Sequence, residues 1–180
     1  MPAAEHLGKG AARSSLPSIG YSSVWLQDFL RRASGLSFTM AQAADVAVLA
    51  ERKLVDLFDV AAETALANGR ARIMRHDLPI TKGLRALLVE ADASAPVLEL
   101  RPLLVCLDDA GVSGPLDEPV KAEIPRLMAA MLLVAARVIA LLEPANVSPQ
   151  ERLERLLRGA PNEPTRWELE RAARVLNLTL

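Results

Sequence analysis

The chain has 180 residues, of which 51% are hydrophobic, so it can bury one sizeable core or two small intertwined units. Its formal net charge of −1 excludes it from the strongly basic proteins that bind nucleic acids through overall charge. The single cysteine, Cys106, excludes an internal disulfide, and its apolar neighbours indicate a buried thiol in a reducing compartment.

The N-terminal residues 1–21 mix Gly, Ala, Ser and Pro without hydrophobic periodicity, which predicts a mobile tail. This tail lacks the apolar segment of a secretory signal peptide, so we expect a cytoplasmic protein. Glu5, Lys9 and Arg13 give it a net charge of +1, which is weak for a nucleic-acid-binding arm and favours a solvated terminus. The remaining residues, 22–180, are predicted to form one domain.

The first half of this domain, residues 22–93, begins with a short helix and a long helix. The short helix is predicted at 24–33, because a Ser-Gly pair follows it. No Gly or Pro interrupts 40–67, where apolar residues recur in steps of three to five, so this stretch predicts a buried helix of about seven to eight turns. Asn68 and Gly69 are predicted to end it, because both tolerate the left-handed conformation of a helix C-terminus.

A basic loop and a second short helix complete the first half. Residues 70–76 are too short and too charged for a helix, and Ile73 is predicted to be their one buried anchor. Asp77 is predicted to cap the next helix, with Pro79 in the first turn, where no N–H bond is needed. The apolar stripe of that helix is Leu78, Ile80, Leu84, Leu87 and Leu88.

This short–long–short layout resembles the histone fold. Arg70, seven residues before Asp77, is similar to the loop arginine that forms an ion pair with a helix aspartate in archaeal and eukaryotic histones. The stretches 67–70 and 76–84 read Ala-Asn-Gly-Arg and His-Asp-Leu-Pro-Ile-Thr-Lys-Gly-Leu. They resemble the signature of a small bacterial family of single-chain histone-fold proteins whose function is unsettled. The resemblance extends over residues 24–90.

The resemblance implies roles for the loop residues. Arg70 and Asp77 would form the structural loop–helix ion pair. Archaeal histones usually carry a threonine two residues after the loop arginine, where it helps to hold a DNA phosphate, and here Arg72 stands at that position. An arginine grips phosphate more strongly as a charge and less specifically as a hydrogen-bond partner.

The second half, residues 94–159, repeats the layout after a candidate linker at 91–96. Its predicted elements are a short apolar segment, a loop, a long helix, a short loop and a short helix opened by a capping box: 97–107, 108–117, 119–143, 144–147 and 148–157. Val147 precedes an acidic residue by four positions, as Ile73 does in the first half. Pro144 stands where the loop arginine would align, so this half keeps the shape and loses the loop charge.

The long helix of the second half is apolar enough to suggest a membrane span. Only ten apolar residues lie between Arg126 and Arg137, whereas a span needs about 20. We therefore expect no membrane contact and a helix that is surrounded by protein.

A final helix is predicted at 165–176, where a second capping box follows a Gly- and Pro-containing loop. Trp167 is its expected anchor on the bundle, which we favour over a free partner-binding helix. The sequence as a whole therefore predicts an all-α protein: a histone fold in which two short–long–short helix units form an intramolecular pseudodimer, with an added C-terminal helix.

Residues for catalysis or metal binding are sparse. His6 and His76 have no second His, Cys or clustered carboxylate at metal-ligand spacing. No Gly-rich phosphate loop or Ser-centred elbow is present. We therefore expect no enzyme activity, no metal, no cofactor and no small-molecule substrate.

Function depends on how the charges are distributed. The first half carries nine basic and nine acidic residues over 21–93, and the second ten and twelve over 94–180. In histones, DNA lies over loops paired between the two halves, which implies five DNA-contact candidates: Arg31, Arg32, Arg70, Arg72 and Arg75. The same pairing would set the loop arginines beside four acidic residues: Asp108, Asp109, Asp117 and Glu118.

Two functions remain open on the sequence. One is a nucleoid-associated histone-like protein that binds duplex DNA through phosphates, independently of base sequence. The alternative is a non-enzymatic protein–protein interaction module with a histone fold and no DNA binding. The near-neutral charge and the missing arginines of the second loop favour the alternative, and the resemblance around the loop arginines favours DNA.

Overall fold

The computed structural model describes residues 23–94, 98–112 and 114–142, together with Leu169, Arg174 and Val175. The α-helices of these residues are α1 Ser23–Ser34, α2 Met40–Ala67, α3 Lys82–Ser94, α4 Leu100–Ala110 and α5 Glu118–Leu142. A 3₁₀ turn covers Arg75–Asp77, and the described residues contain no strand. The predicted all-α class is therefore confirmed.

Several predictions concern segments outside the described residues. These are the tail at 1–21, the short helix at 148–157 and the anchor Trp167. Of the C-terminal helix predicted at 165–176, Leu169, Arg174 and Val175 are described and have helical backbone, and Leu169 packs against the core.

The helix ends that depend on local signals lie where the sequence predicts them. Thr39 opens α2 with a capping box, in which its hydroxyl accepts the N–H of Gln42 and the Gln42 side chain accepts the N–H of Thr39. At the other end Asn68 is the C-cap and Gly69 has a φ of 71°. The predicted range 40–67 for α2 is confirmed.

The predicted start of the third helix is wrong. The helix begins at Lys82, not at Asp77, and Thr81 Oγ1 accepts the N–H of Leu84 at 3.2 Å. Leu78 is held in extended backbone, with φ −65° and ψ 127°, because the following Pro79 disfavours helical backbone in the residue before it. The Asp77 carboxylate accepts the N–H of Met74 and closes the 3₁₀ turn.

Two boundaries in the middle of the chain also differ from prediction. The candidate linker at 91–96 begins inside α3, which runs to Ser94 because Ala91 still packs in the core. Helix α4 extends to Ala110, so Asp108 and Asp109 belong to its last turn and not to the following loop. Gly111, with a φ of 80°, ends α4 as a left-handed C-cap.

Helix α5 forms the centre of the core. It packs against α1, α2, α3 and α4. Its largest fully buried side chains are Ile124, Leu127, Met128, Met131, Leu132 and Ile139. The prediction that this apolar helix is surrounded by protein is therefore confirmed.

The same helix is the one candidate for a membrane span among the described residues. It is long and apolar enough over Glu118–Leu141, but 61% of its most apolar window is buried inside the protein. A core helix of this kind meets the length and composition of a span without needing a bilayer.

Two loops from different parts of the chain are joined by a parallel β-bridge between Ile73 and Leu116. Ile73 donates its N–H to the carbonyl oxygen of Pro115 at 3.0 Å, and its own carbonyl accepts the N–H of Asp117 at 3.1 Å. The Ile73 side chain is fully buried. We call residues 70–77 and 114–117 the paired loops.

Gly114 is required for this close approach. Its φ is 108°, and a Cβ at this position would lie 2.6 Å from the carbonyl oxygen of Ala71. Gly114→Ala is therefore expected to lower the free energy of unfolding by about 1–3 kcal/mol, which urea denaturation measures. Gly83→Ala is the matched control, since its Cβ would meet only Thr81 Oγ1 at 3.9 Å within a helix. An equal effect of both changes would contradict the expectation.

Candidate functional site

The basic end of the paired loops is built on an ion pair between Arg70 and Asp77. Arg70 Nη1 lies 2.5 Å from Asp77 Oδ2, and Nη2 lies 2.6 Å from Oδ1, which is a bidentate arrangement. Asp77 Oδ2 also accepts the N–H of Met74 at 2.8 Å. The Asp77 side chain is 0% exposed and that of Arg70 is 26% exposed.

The charge state of this pair follows from its contacts. The Arg70 guanidinium, with help from the Met74 N–H, lowers the pKa of Asp77 to about 2, although burial acts in the opposite direction. The hydrogen bond to Asp77 raises the pKa of Arg70 above its usual value. Both groups therefore stay charged at neutral pH, and the charge of Arg70 is balanced inside the protein.

Arg72 and Arg75 are the loop arginines that remain accessible to solvent. Arg72 Nη1 lies 3.5 Å from Asp117 Oδ1, and its side chain is 58% exposed. Arg75 Nη2 lies 3.1 Å from Glu123 Oε1, and its side chain is 65% exposed. The Arg72–Asp117 pair is exposed and contributes about 0–1 kcal/mol, so an incoming anion can replace Asp117 at low cost. In the other pair the Glu123 side chain is only 12% exposed.

The predicted acidic neighbours of the loop arginines are only partly correct. Asp117 does face Arg72, as expected. Glu118 instead pairs with Lys121 at 2.7 Å, one turn along α5. Among the described residues, Asp108 and Asp109 form no ion pair with the three loop arginines, because they lie in the last turn of α4.

Glu123 is an acidic group of this site that sequence reasoning missed. Its Oε1 lies 3.1 Å from Arg75 Nη2, and its Oε2 lies 3.1 Å from Arg126 Nη1. Arg126 also holds Asp92 through two contacts, at 2.7 Å from Nε and 2.5 Å from Nη2. The available signal was a carboxylate within the apolar sequence of α5, because a buried charge requires a partner.

Arg31 and Arg32 form a separate group on α1. Both guanidinium groups contact Asp28, Arg31 at 2.6 Å and Arg32 at 3.0 Å. The hydrogen bond from Arg31 is the main reason that the pKa of Asp28 is lowered. Arg32 lines a small recess that also contains Glu90 and Arg137, which are themselves hydrogen-bonded.

Comparison with known proteins places the chain in a family. Residues 26–158 match a family described as a domain of unknown function, DUF1931. The chain belongs to the DUF1931 family. No curated protein matches the sequence.

Two crystal structures of bacterial proteins have a fold similar to that of this DUF1931 chain. A protein from Thermus thermophilus is 31% identical, with a TM-score of 0.71 over 91% of this chain and 99% of the other. A protein from Aquifex aeolicus is 20% identical, with a TM-score of 0.63 over 93% and 99% of the two chains, and it is similar in fold alone. The Thermus and Aquifex proteins therefore share the helical architecture described above.

The remaining chemical groups of this DUF1931 chain are dispersed. In the part of the chain that the structure describes, no three His, Cys, Asp or Glu side chains converge as metal ligands would. His76 Nε2 lies 3.7 Å from Asp77 Oδ1, and Cys106 is buried. The arginines are thus the groups on which a functional proposal can rest.

Proposed function

We propose that this DUF1931 chain is a histone-like protein that binds duplex DNA through its phosphate backbone without reading bases. In this proposal two histone-like halves form an intramolecular pseudodimer: α1, α2 and α3 are the first short–long–short unit, and α4 and α5 begin the second. The packing of α5 on α1, α2 and α3 supports the arrangement, because each long helix then lies within the other half.

The observation that carries the DNA proposal is the bridge of the paired loops. Ile73 and Leu116 bring the loop after α2 of one unit beside the loop after α4 of the other, which is the relation that histones use at DNA. The bridge fixes the backbone that presents Arg72 and Arg75, and both side chains are exposed there. Arginine suits this role, because its planar guanidinium binds phosphate bidentately.

The proposal predicts weak binding that depends steeply on salt. Arg72 and Arg75 must exchange Asp117 and Glu123 for phosphate, so affinity should come from few contacts. Arg72→Ala combined with Arg75→Ala is expected to make the slope of log K against log salt shallower by up to about 1.8, since each phosphate contact contributes about 0.9. Fluorescence anisotropy with two duplexes of unrelated sequence measures this slope.

The controls for the DNA experiment follow from the geometry. Arg70 is left unchanged, because its replacement would expose a buried carboxylate and disturb the loop itself. Arg52→Ala removes an exposed arginine from α2, away from the paired loops, and should leave the slope unchanged. Absence of binding at low salt would contradict the proposal, and so would a preference for one of the two sequences.

A protein–protein interaction module is the second candidate, and one observation favours it. Each of the five candidate arginines lies within 3.5 Å of a carboxylate oxygen of the same chain. A surface that is already neutralised attracts DNA less than a basic one. Under this alternative neither the natural chain nor the double variant would bind DNA.

The same proposal includes the protein's chemistry, its partner and its location in the cell. The protein would act without catalysis, metal or cofactor, and its partner would be duplex DNA or, under the alternative, another protein. A DNA-bound protein of this type would reside in the cytoplasm with the nucleoid. Fluorescence microscopy of the tagged chain beside a DNA stain tests that location.

A further inference from the structure

A cleft of about 530 Å³ lies where the 3₁₀ turn and the start of α3 meet α5. Its charged or polar lining consists of Arg75, His76, Arg85, Glu123 and Arg126. Its apolar lining consists of Leu78, Ile80, Leu88 and Val89. This size falls within the range of about 300–1,000 Å³ that is typical of small-molecule sites.

The cleft carries an excess of positive charge in a protein of net charge −1. Three arginines line it against a single carboxylate, that of Glu123. Arg85 is exposed on α3 and forms no ion pair among the described residues. An anion in the cleft would therefore meet an arginine whose hydrogen bonds are still available.

Two of the arginines are held in place before any ligand arrives. Glu123 is buried and contacts both Arg75 and Arg126, each at 3.1 Å. Asp92 holds Arg126 from the other side through two further contacts. Because these side chains are already ordered, binding costs less conformational entropy than it would at free surface arginines.

We propose that this cleft binds a phosphate monoester attached to an apolar group, of the kind that a mononucleotide presents. Arg85, Arg75 and Arg126 would bind the phosphate oxygens, and the imidazole N–H of His76 would add one donor. The apolar side chains of Leu78, Ile80 and Leu88 would contact the base of the nucleotide. The site shares Arg75 with the DNA-contact candidates but does not require the DNA proposal, since Arg85 and Arg126 are not among them.

Two sources could supply such a group: a free nucleotide and the phosphorylated end of a nucleic-acid strand. Both offer a terminal phosphate with two negative charges beside a sugar and a base. A phosphodiester inside a duplex offers one charge and no free terminal phosphate. The two sources are therefore separated by comparing a free nucleotide with duplexes that carry or lack a 5′-phosphate.

The test uses calorimetric titration of the full chain at low salt with adenosine 5′-monophosphate, inorganic phosphate and adenosine. The monophosphate is expected to bind at one site per chain, and adenosine should show no measurable binding. Inorganic phosphate should bind at least about tenfold more weakly than the monophosphate, because it leaves the apolar floor uncovered. Equal affinity for the two phosphates would contradict the apolar part of the proposal.

Arg85 is the variant position that separates binding from folding. Arg85→Ala is expected to weaken binding of the monophosphate roughly 10- to 100-fold, because a charge-assisted hydrogen bond is lost. The affinity of Arg85→Lys should lie between those of the natural chain and Arg85→Ala, since lysine keeps the charge without the bidentate geometry. The melting temperature should be unchanged in both variants, because Arg85 makes no ion pair among the described residues. Arg72→Ala, on the paired loops outside the cleft, is the matched control and should retain full affinity.

The outcomes are distinct. No heat of binding with millimolar monophosphate overturns the proposal, as does binding that Arg85→Ala leaves unchanged or that Arg72→Ala abolishes. Binding of the monophosphate that depends on Arg85 supports it and assigns a free nucleotide as the source. If Arg85→Ala also weakens binding of a duplex with a 5′-phosphate, and that duplex binds more tightly than the monophosphate, the source is instead a strand end. If an unphosphorylated duplex does not bind at low salt while the monophosphate does, the DNA proposal is contradicted and the proposal for this cleft is retained.

Discussion

Two fragments made by dividing the chain within residues 95–97 are each expected to be unfolded alone and to fold together when mixed. The C-terminal fragment would expose α5, whose six largest fully buried side chains pack among helices of both fragments. Burial of six such side chains contributes roughly 9–18 kcal/mol as an upper estimate. This is comparable with the whole free energy of unfolding of a typical protein, about 5–15 kcal/mol.

Circular dichroism, which measures helix content and the thermal transition, and sedimentation, which measures association, test this prediction. Each fragment alone should lack a cooperative thermal transition, and an equimolar mixture should recover the helix content and transition of the intact chain. The transition of the mixture should also depend on concentration, because two molecules must associate. A stably folded monomeric fragment would show that the halves are not intertwined.

Arg70→Ala is expected to lower the melting temperature by roughly 5–10 °C. The change leaves the fully buried Asp77 carboxylate with the Met74 N–H but without its cation. Asp77→Ala should cost less, because the freed Arg70 guanidinium is partly exposed and can bind water. The sequence favours the opposite order, since it makes Asp77 the cap of a helix. Arg72→Ala breaks an exposed pair and should have little effect.

A double-mutant cycle on Arg70 and Asp77 should show coupling that depends on pH. The folded pKa of Asp77 is about 2, below its usual value of 3.8, so its contribution to stability is fully present above about pH 4. That contribution is lost as the pH falls from about 4 towards 2. The coupling energy should therefore be large at pH 7 and small near pH 2. A cycle without coupling at pH 7 would mean that the two side chains act independently.

The sequence predicts the helices well where their ends depend on neighbouring residues. Thr39, Asn68 and Gly69 define α2 through capping and left-handed backbone, and both are local properties. The start of α3 is different. Asp77 has the side chain of a cap, but the structure uses it for Arg70 and Met74. Pro79 keeps Leu78 out of helical backbone, and the helix begins only after Thr81.

The site is harder to predict because its partners are distant in sequence. Arg75 and Glu123 meet only because the Ile73–Leu116 bridge brings the loop after α2 against α5. Arg85 and Arg126 line one cleft only after α3 packs on α5. No local sequence pattern at Arg85 indicates that Arg126 lies near it. Which charged side chains of different helices come together is therefore seen only in the folded structure.

The central position of α5 has a consequence for synthesis on the ribosome. Helix α5 covers α1, α2 and α3 but is synthesised after all three. Its end lies about 75 residues beyond the end of α2. At roughly 5–20 residues per second, the apolar side chains of α2 wait about 4–15 s for their cover. Leu54 and Phe58, which are fully buried in the folded protein, would lack the cover of α5 during that interval. We therefore expect the nascent chain to expose this apolar surface until residue 142 has emerged, which is the kind of surface that a chaperone shields.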